Sequence, residues 1–132
     1  MTMLVVDASA LVKAVTEGSG PESGALDRME GRRLHAPHLV DAELGSALRR
    51  MVLRRQLTAE VAAAARRLGE ALIDTRHPHA GPLSEAAWQL RDTVGFYDGL
   101  YVALAAALDC EMLTADHRLA RAAVPGTRVS VI

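Results

Sequence analysis

The first apolar run, Met3-Leu4-Val5-Val6, is unbroken and stops on Asp7. A run this short, without alternation, predicts a strand buried on both faces, as at the middle of a parallel sheet. Residues 8–15 have helix-forming composition, so the chain passes from strand to helix through a carboxylate. A break at 17–21, rich in Gly, Ser and Pro, leads to a short amphipathic helix over 22–29, with Leu26 and Met29 on one side. A strand follows over 34–36, ended by Pro37. Over 39–53, Leu44, Ala47, Leu48, Met51 and Val52 recur at helical spacing and predict a core-facing stripe. Thr58 followed by Glu60 is a helix-start signal, and that helix runs to about Leu72.

The second half repeats the alternation. A third strand is expected over 73–77, closed by Pro78, and a helix from Pro82 that carries Trp88 and Leu90 and ends near Gly95. A very apolar helix over 96–108 feeds a fourth strand over 111–114, then a helix over 116–123 and a last strand over 127–132. Strands that alternate with helices, each connection long enough to cross over, predict a parallel sheet with helices on both faces. The fold class is therefore α/β, a three-layer α/β/α arrangement in a single domain over 1–132. The helical hairpin over 39–72 is the one excursion from strict alternation.

Composition sharpens this picture in three places. Half of the residues are hydrophobic but only four are aromatic, and Phe96, Tyr97 and Tyr101 crowd into one segment. The core must otherwise be Ala, Leu and Val, which suits close packing of helix on sheet. A net charge of −1 gives no global attraction to nucleic acid or to a membrane surface. The single Cys110 excludes an internal disulfide and a cysteine zinc site, and it fits a reducing compartment. Asp7 interrupts the first apolar run and no basic residue precedes it, so no signal peptide is expected. The longest apolar stretch, 100–108, is far below the ~20 residues of a membrane helix. A soluble, cytoplasmic protein is the expectation.

Four acids fall where a cleft at the strand ends would collect them. Asp7 follows the first strand, Glu43 lies on the helix after the second, Asp98 begins the helix before the fourth, and Asp116 follows that strand. Open α/β sheets place their ligand crevice at this edge. Each acid also has a plainer reading: Asp7, Asp98 and Asp116 are good helix caps, and Glu43 suits a solvated face. Asp41 competes with Glu43, but two residues along a helix point about 200° apart, so only one faces the cleft. Glu43 is the better choice because its longer side chain reaches over the strand ends. Clustered carboxylates need a balancing cation. Oxygen-only ligands select hard Mg²⁺ or Mn²⁺ rather than zinc, an arrangement suited to hydrolysing a phosphodiester. Ser9 and Thr114, each two residues from an acid, are placed to orient a water or a phosphate, or to serve as ordinary turn hydroxyls.

Four segments together carry a family resemblance: Val5-Val6-Asp7-Ala8-Ser9-Ala10-Leu11, Pro37-His38-Leu39-Val40-Asp41-Ala42-Glu43, Phe96-Tyr97-Asp98-Gly99-Leu100-Tyr101-Val102-Ala103-Leu104-Ala105, and Leu113-Thr114-Ala115-Asp116-His117-Arg118-Leu119. In order and spacing the chain resembles a PIN-domain ribonuclease, and more closely the VapC toxins of bacterial toxin–antitoxin pairs. The resemblance implies a PIN-like fold and a Mg²⁺-dependent endoribonuclease, with Mn²⁺ able to substitute. It implies Asp7, Glu43, Asp98 and Asp116 as the acidic quartet and metal ligands. It also implies a homodimer, a small VapB-type antitoxin covering the cleft, and structured RNA such as tRNA or rRNA as substrate. Gly99 departs from the pattern, where the family more often has Ala; a looser helix start is expected, with no ligand lost.

Other features divide between function and plain structure. Arg49, Arg50, Arg54, Arg55, Arg66 and Arg67 crowd the helical hairpin. Arg50 and Arg54 share one face and are placed either to track an RNA backbone or simply to solvate the helix. Tyr97 and Tyr101 flank Asp98, and core or dimer-interface roles outweigh base stacking. His77 and His79 around Pro78 lack further ligands and are expected to be exposed, as is His117. Two alternatives to the toxin remain: a PIN nuclease of RNA processing without an antitoxin, and a non-catalytic binding module whose acidic pocket takes an Arg-bearing partner. A receiver-type phosphoacceptor is excluded, because it needs a Lys after a late strand and Lys13 is the only Lys.

Overall fold

The computed structural model describes residues 2–17, 24–122, 124 and 126–132. The expected break after Glu17, the first two residues of the 22–29 helix, and Ala123 at the end of the 116–123 helix lie outside them. In chain order the elements are β1 (Met3–Val6), α1 (Ala8–Glu17), α2 (Ala25–Met29), β2 (Arg33–Pro37), α3 (Val40–Leu53), α4 (Ala59–Leu72), β3 (Thr75–His77), α5 (Pro82–Gln89), α6 (Phe96–Leu108), β4 (Glu111–Thr114), α7 (His117–Arg121) and β5 (Val129–Val131). The strands form one all-parallel sheet in the order β3-β2-β1-β4-β5.

β1 is central because nothing in it needs water: Leu4, Val5 and Val6 are fully buried. Val5 pairs with His35 on one side and Met112 on the other. The chain moves outward through β2 and β3 on one side, then returns to build β4 and β5 on the other. The strand order therefore reverses between β1 and β4, and such a switch point opens a crevice at the carboxyl ends of the strands. α1 packs with α2, α3 and α4, while α6 lies across β1, β2 and β4 and carries α5. Val40, Leu44 and Leu48 form the buried seam of α3, with Met51 and Val52 partly buried beside it. Thr58 caps α4 as expected, its hydroxyl accepting from the Val61 amide at 3.2 Å.

Boundaries move where side chains replace backbone. β3 starts at Thr75 rather than Ile73 because the Asp74 carboxylate accepts from the Leu34 amide at 2.8 Å, while its own amide donates to the Leu34 carbonyl. Pro37 belongs to β2 instead of ending it, and the His38 amide continues the pairing onto the His77 carbonyl at 2.8 Å. α5 stops at Gln89, and the stretch to Gly95 is irregular. Trp88, expected on this helix, is more than half exposed, with the Arg91 guanidinium 5.3 Å from its ring centre.

The two α5–α6 helices meet at Gly99, where an added Cβ would lie 3.3 Å from the Ala87 carbonyl oxygen and 3.4 Å from the Ala87 Cβ. The glycine thus serves close helix packing, an account the expectation of a loose helix start did not include. Gly99→Val should destabilise the protein by about 1–3 kcal/mol through overpacking. Gly45→Ala, whose new methyl meets nothing within 4 Å, should stabilise it by roughly 0.5–1 kcal/mol. Urea unfolding followed by circular dichroism checks both signs.

Candidate active site

Asp7 ends β1 and is 5% exposed, deep for a carboxylate. Ser9 Oγ donates to its Oδ1 at 2.6 Å and the Ala10 amide donates to the same oxygen at 2.9 Å. Oδ2 accepts from the Thr114 hydroxyl at the end of β4. Ser9 Oγ in turn accepts from the Ala115 amide at 2.9 Å, and Thr114 Oγ1 from the Asp116 amide at 3.0 Å. Ser9 and Thr114 therefore hold the acid and stitch β1 to β4 across the switch point. The sequence left them between orienting a water or phosphate and serving as ordinary turn hydroxyls; their donor protons are committed to Asp7. Burial pushes the Asp7 carboxyl above its usual range, these donors pull it back in part, and nearby Asp116 pushes it up again.

Glu43 reaches over from the first turn of α3, and Tyr101 Oη on α6 donates to its Oε1 at 2.7 Å. Its carboxyl is raised by burial first, opposed by the tyrosine, then raised further by Asp7 and Asp98. Asp98, in the first turn of α6, is half-buried and raised by burial, Asp7 and Asp116, with Arg118 opposing. Asp116 caps α7: its Oδ1 accepts from the Arg118 amide at 2.9 Å and the Leu119 amide at 3.4 Å. Arg118 Nε lies 3.7 Å from the same oxygen but is largely in solvent. Tyr101 is raised far beyond its usual range by burial and by Glu43, so its hydroxyl remains a donor. The four expected acids are thus linked through Asp7 and Asp98: Glu43 feels both, and Asp116 acts on both, although they stand at 7, 43, 98 and 116 along the chain.

They share a field rather than a ligand sphere. Among the described residues, no group of three or more His, Cys, Asp or Glu side chains is arranged to hold a metal ion. The chemistry of the donor set still fits a hard divalent cation: the donors are all carboxylate oxygens, and burial and like charge penalise ionisation of Asp7, Glu43 and Asp98. Asp41 is not part of the set. Arg76 grips both its oxygens, with Nη2 2.8 Å from Oδ1, and turns it toward α4 and β3.

A groove of about 840 Å³ has Glu43, alone of the four acids, in its wall, with Ser9, Arg50, Phe96 and Tyr97 among its other lining residues. The two arginines of one α3 face separate: Arg50 lines this groove and donates to Ser46 Oγ at 2.9 Å, whereas Arg54 is the exposed cap residue at the far end of α3. The two tyrosines separate as well. Tyr97 is 65% exposed and Tyr101 is 1% exposed. Tyr101 as the partner of Glu43 was missed, although its position three residues after Asp98 puts both on one face of α6.

His77 departs from the expected exposure. It is partly buried, its Nε2 lies 2.9 Å from Nδ1 of buried His35, and the rings stack with centres 5.2 Å apart. No spacing rule links residues 42 positions apart, so only the β2–β3 register reveals the pair.

Comparison with known proteins places the chain. The PIN domain family model matches residues 4–125. The chain is 50% identical over 127 residues to Ribonuclease VapC1 of Mycobacterium tuberculosis, spanning 96% of this chain and 93% of that one. The chain belongs to the PIN-domain family, among the VapC ribonucleases. Its fold is shared with VapBC2 from Rickettsia felis, solved with a DNA fragment from their promoter (TM-score 0.72, 13% identity, 99% of each chain). It is also shared with Mycobacterium tuberculosis VapC20, described as a sarcin–ricin loop cleaving toxin (TM-score 0.68, 16% identity, 95% of this chain and 98% of that one). The PIN-like α/β fold and the VapC membership agree with the sequence reading.

Two solution measurements test the electrostatics. A raised acid is penalised in its charged form by the fold, so a neutral isostere removes the penalty. Asp98→Asn should raise the thermal midpoint of the metal-free protein at pH 8 slightly, since solvent screens a half-exposed group, with a smaller gain still at high salt. For His77 the sign is opposite. Burial, His35 and His38 all hold its imidazolium below the usual range, so the unfolded chain binds the proton more readily. Stability should fall as pH drops from about 6.5, the unperturbed value, toward the lowered folded value. His77→Gln should show a shallower loss across that window than the parent, read as the difference between two melting-versus-pH curves.

Proposed function

We propose that this VapC-family chain is a Mg²⁺-dependent endoribonuclease, with Mn²⁺ able to substitute, and the toxin of a VapBC-type toxin–antitoxin module. The observation that carries the proposal is the gathering of Asp7, Glu43, Asp98 and Asp116 into one electrostatic neighbourhood at the sheet's switch point. Half identity to a named ribonuclease over nearly the whole chain supports it. VapC20, similar in fold, is described as cutting the sarcin–ricin loop, which supports structured RNA, tRNA or rRNA, as the substrate class. VapBC2 is described as a pair on promoter DNA, which supports a VapB-type antitoxin partner. A homodimer and a cytoplasmic location belong to the same proposal. No helix among the described residues is long and apolar enough to cross a membrane.

In this reading the four acids hold the cation. When bound, the ion polarises a phosphoryl oxygen and lowers the pKa of an attacking water. The chain itself supplies position. Ser9, Thr114 and the Ala10 amide fix Asp7. Arg50 offers a guanidinium on the groove for the RNA backbone, and Asp98, with no hydrogen bond to its carboxylate among the described residues, stays free to turn toward its ligand. No covalent nucleophile is needed, and Ser9 is already engaged.

The test is RNA cleavage by the purified protein. Mg²⁺ or Mn²⁺ should stimulate cutting, EDTA should abolish it, and Asp7→Asn or Asp98→Asn should each lower the rate by about 100-fold or more, since even outer-shell changes cost 10–100-fold. A wild-type protein that cuts no RNA with either ion present overturns the reading. Sequencing RNA 5′ ends after brief expression names the target.

A further inference from the structure

Glu43 and Asp98 stand on helices that are distant in sequence: α3 packs on α1 and α4, whereas α6 lies against β1, β2 and β4. One side chain connects them. Tyr101 follows Asp98 by three residues on α6, is 1% exposed, and spends its hydroxyl on Glu43 Oε1 at 2.7 Å. A buried tyrosine hydroxyl needs a polar partner, so this contact alone reads as a satisfied core residue. Its surroundings carry it further. Among the described residues this is the one hydrogen bond to the Glu43 carboxylate, on a side chain with three rotatable bonds standing at the cleft rather than in the core. A free glutamate loses side-chain entropy when a ligand orders it, and that loss weakens binding unless the fold has already ordered the group. The hydroxyl occupies Oε1 and leaves Oε2 open.

We propose that Tyr101 is a positioning residue: it fixes the Glu43 carboxylate from α6, so that the α3 and α6 acids face a cation in a set arrangement. The inference rests on the metal-dependent reading above. Groups that orient metal ligands from outside the ligand sphere commonly contribute 10–100-fold to affinity. Tyr101 does so for Glu43 as Ser9 and Thr114 do for Asp7, and Asp98 has no such support among the described residues.

The experiment is Mn²⁺ binding by purified protein without RNA, followed by electron paramagnetic resonance, with the Mg²⁺ concentration for half-maximal cleavage as a second readout. Tyr101→Phe keeps the buried ring and removes one oxygen. Its Mn²⁺ Kd should rise about tenfold, with the Mg²⁺ requirement shifting by a similar ratio. In a Glu43→Gln background the same change should have little further effect, because the tyrosine acts through that carboxylate. Glu43→Asp, which keeps the charge but draws it back by one methylene, should bind Mn²⁺ as weakly as Tyr101→Phe, and it decides the matter should the Phe variant fail to fold. Wild-type affinity in Tyr101→Phe or in Glu43→Asp, or an equal loss in both backgrounds, overturns the inference and leaves metal dependence standing. Wild-type protein that binds no Mn²⁺ overturns both.

Discussion

Asp7 sits almost wholly out of water where β1 meets β4, and the fold is built to tolerate it there. A carboxylate 5% exposed at the end of the central strand is costly unless donors surround it. Three donors do, and they come from both sides of the switch point: Ser9 and Ala10 at the start of α1, Thr114 at the end of β4. The Asp7 amide also donates to the Leu113 carbonyl at 3.2 Å, continuing the β1–β4 ladder one residue past the strand. Sheet pairing and acid placement are therefore the same event. Any shift in β1–β4 register that moved Thr114 would leave a buried charge short of a donor, so register is specified by polar as well as apolar contacts.

Around that fixed point the acids are held to different degrees. Asp7 has three donors, Glu43 has one, and Asp116 spends one oxygen on the α7 amides. The Asp98 carboxylate accepts none among the described residues and has Arg118 as its only opposing charge. Rigid and adjustable ligands thus meet at one crevice. Burial first, and neighbouring carboxylates second, raise Asp7, Glu43 and Asp98, so the site is kept at the expense of stability, while the wholly apolar β1 and the Leu and Ala seams of α1, α3 and α6 offset the cost.

Much of this was legible in the sequence because it rests on local chemistry. One unbroken apolar run marked β1, Thr58 marked a helix start, and strand-end carboxylates marked the cleft. What stayed illegible depends on pairs made across the sheet. Asp74 stands in for a strand residue only because Leu34 lies opposite, and His77 leaves solvent only because β2 sets His35 beside it. Tyr97 and Tyr101 looked alike on paper, yet helix phase sends one to solvent and the other to Glu43. Gly99 read as a weakness until α5 was seen lying against it.

The choice between Asp41 and Glu43 shows how a single helix serves both halves of the fold. Being about 200° apart on α3, the two acids cannot face the same way. Asp41 takes a two-point grip from Arg76 on edge strand β3, and the guanidinium also donates to the Glu70 carbonyl of α4 at 2.8 Å. Glu43 takes the Tyr101 hydroxyl from α6. Between them Val40, Leu44 and Leu48 seat the helix in the core. Rotating α3 about its axis to improve any one of these contacts spoils the other two. The angle at which Glu43 enters the cleft is thus set by a salt bridge on the far side of the helix, and the edge strand, remote from the acids, helps to aim one of them.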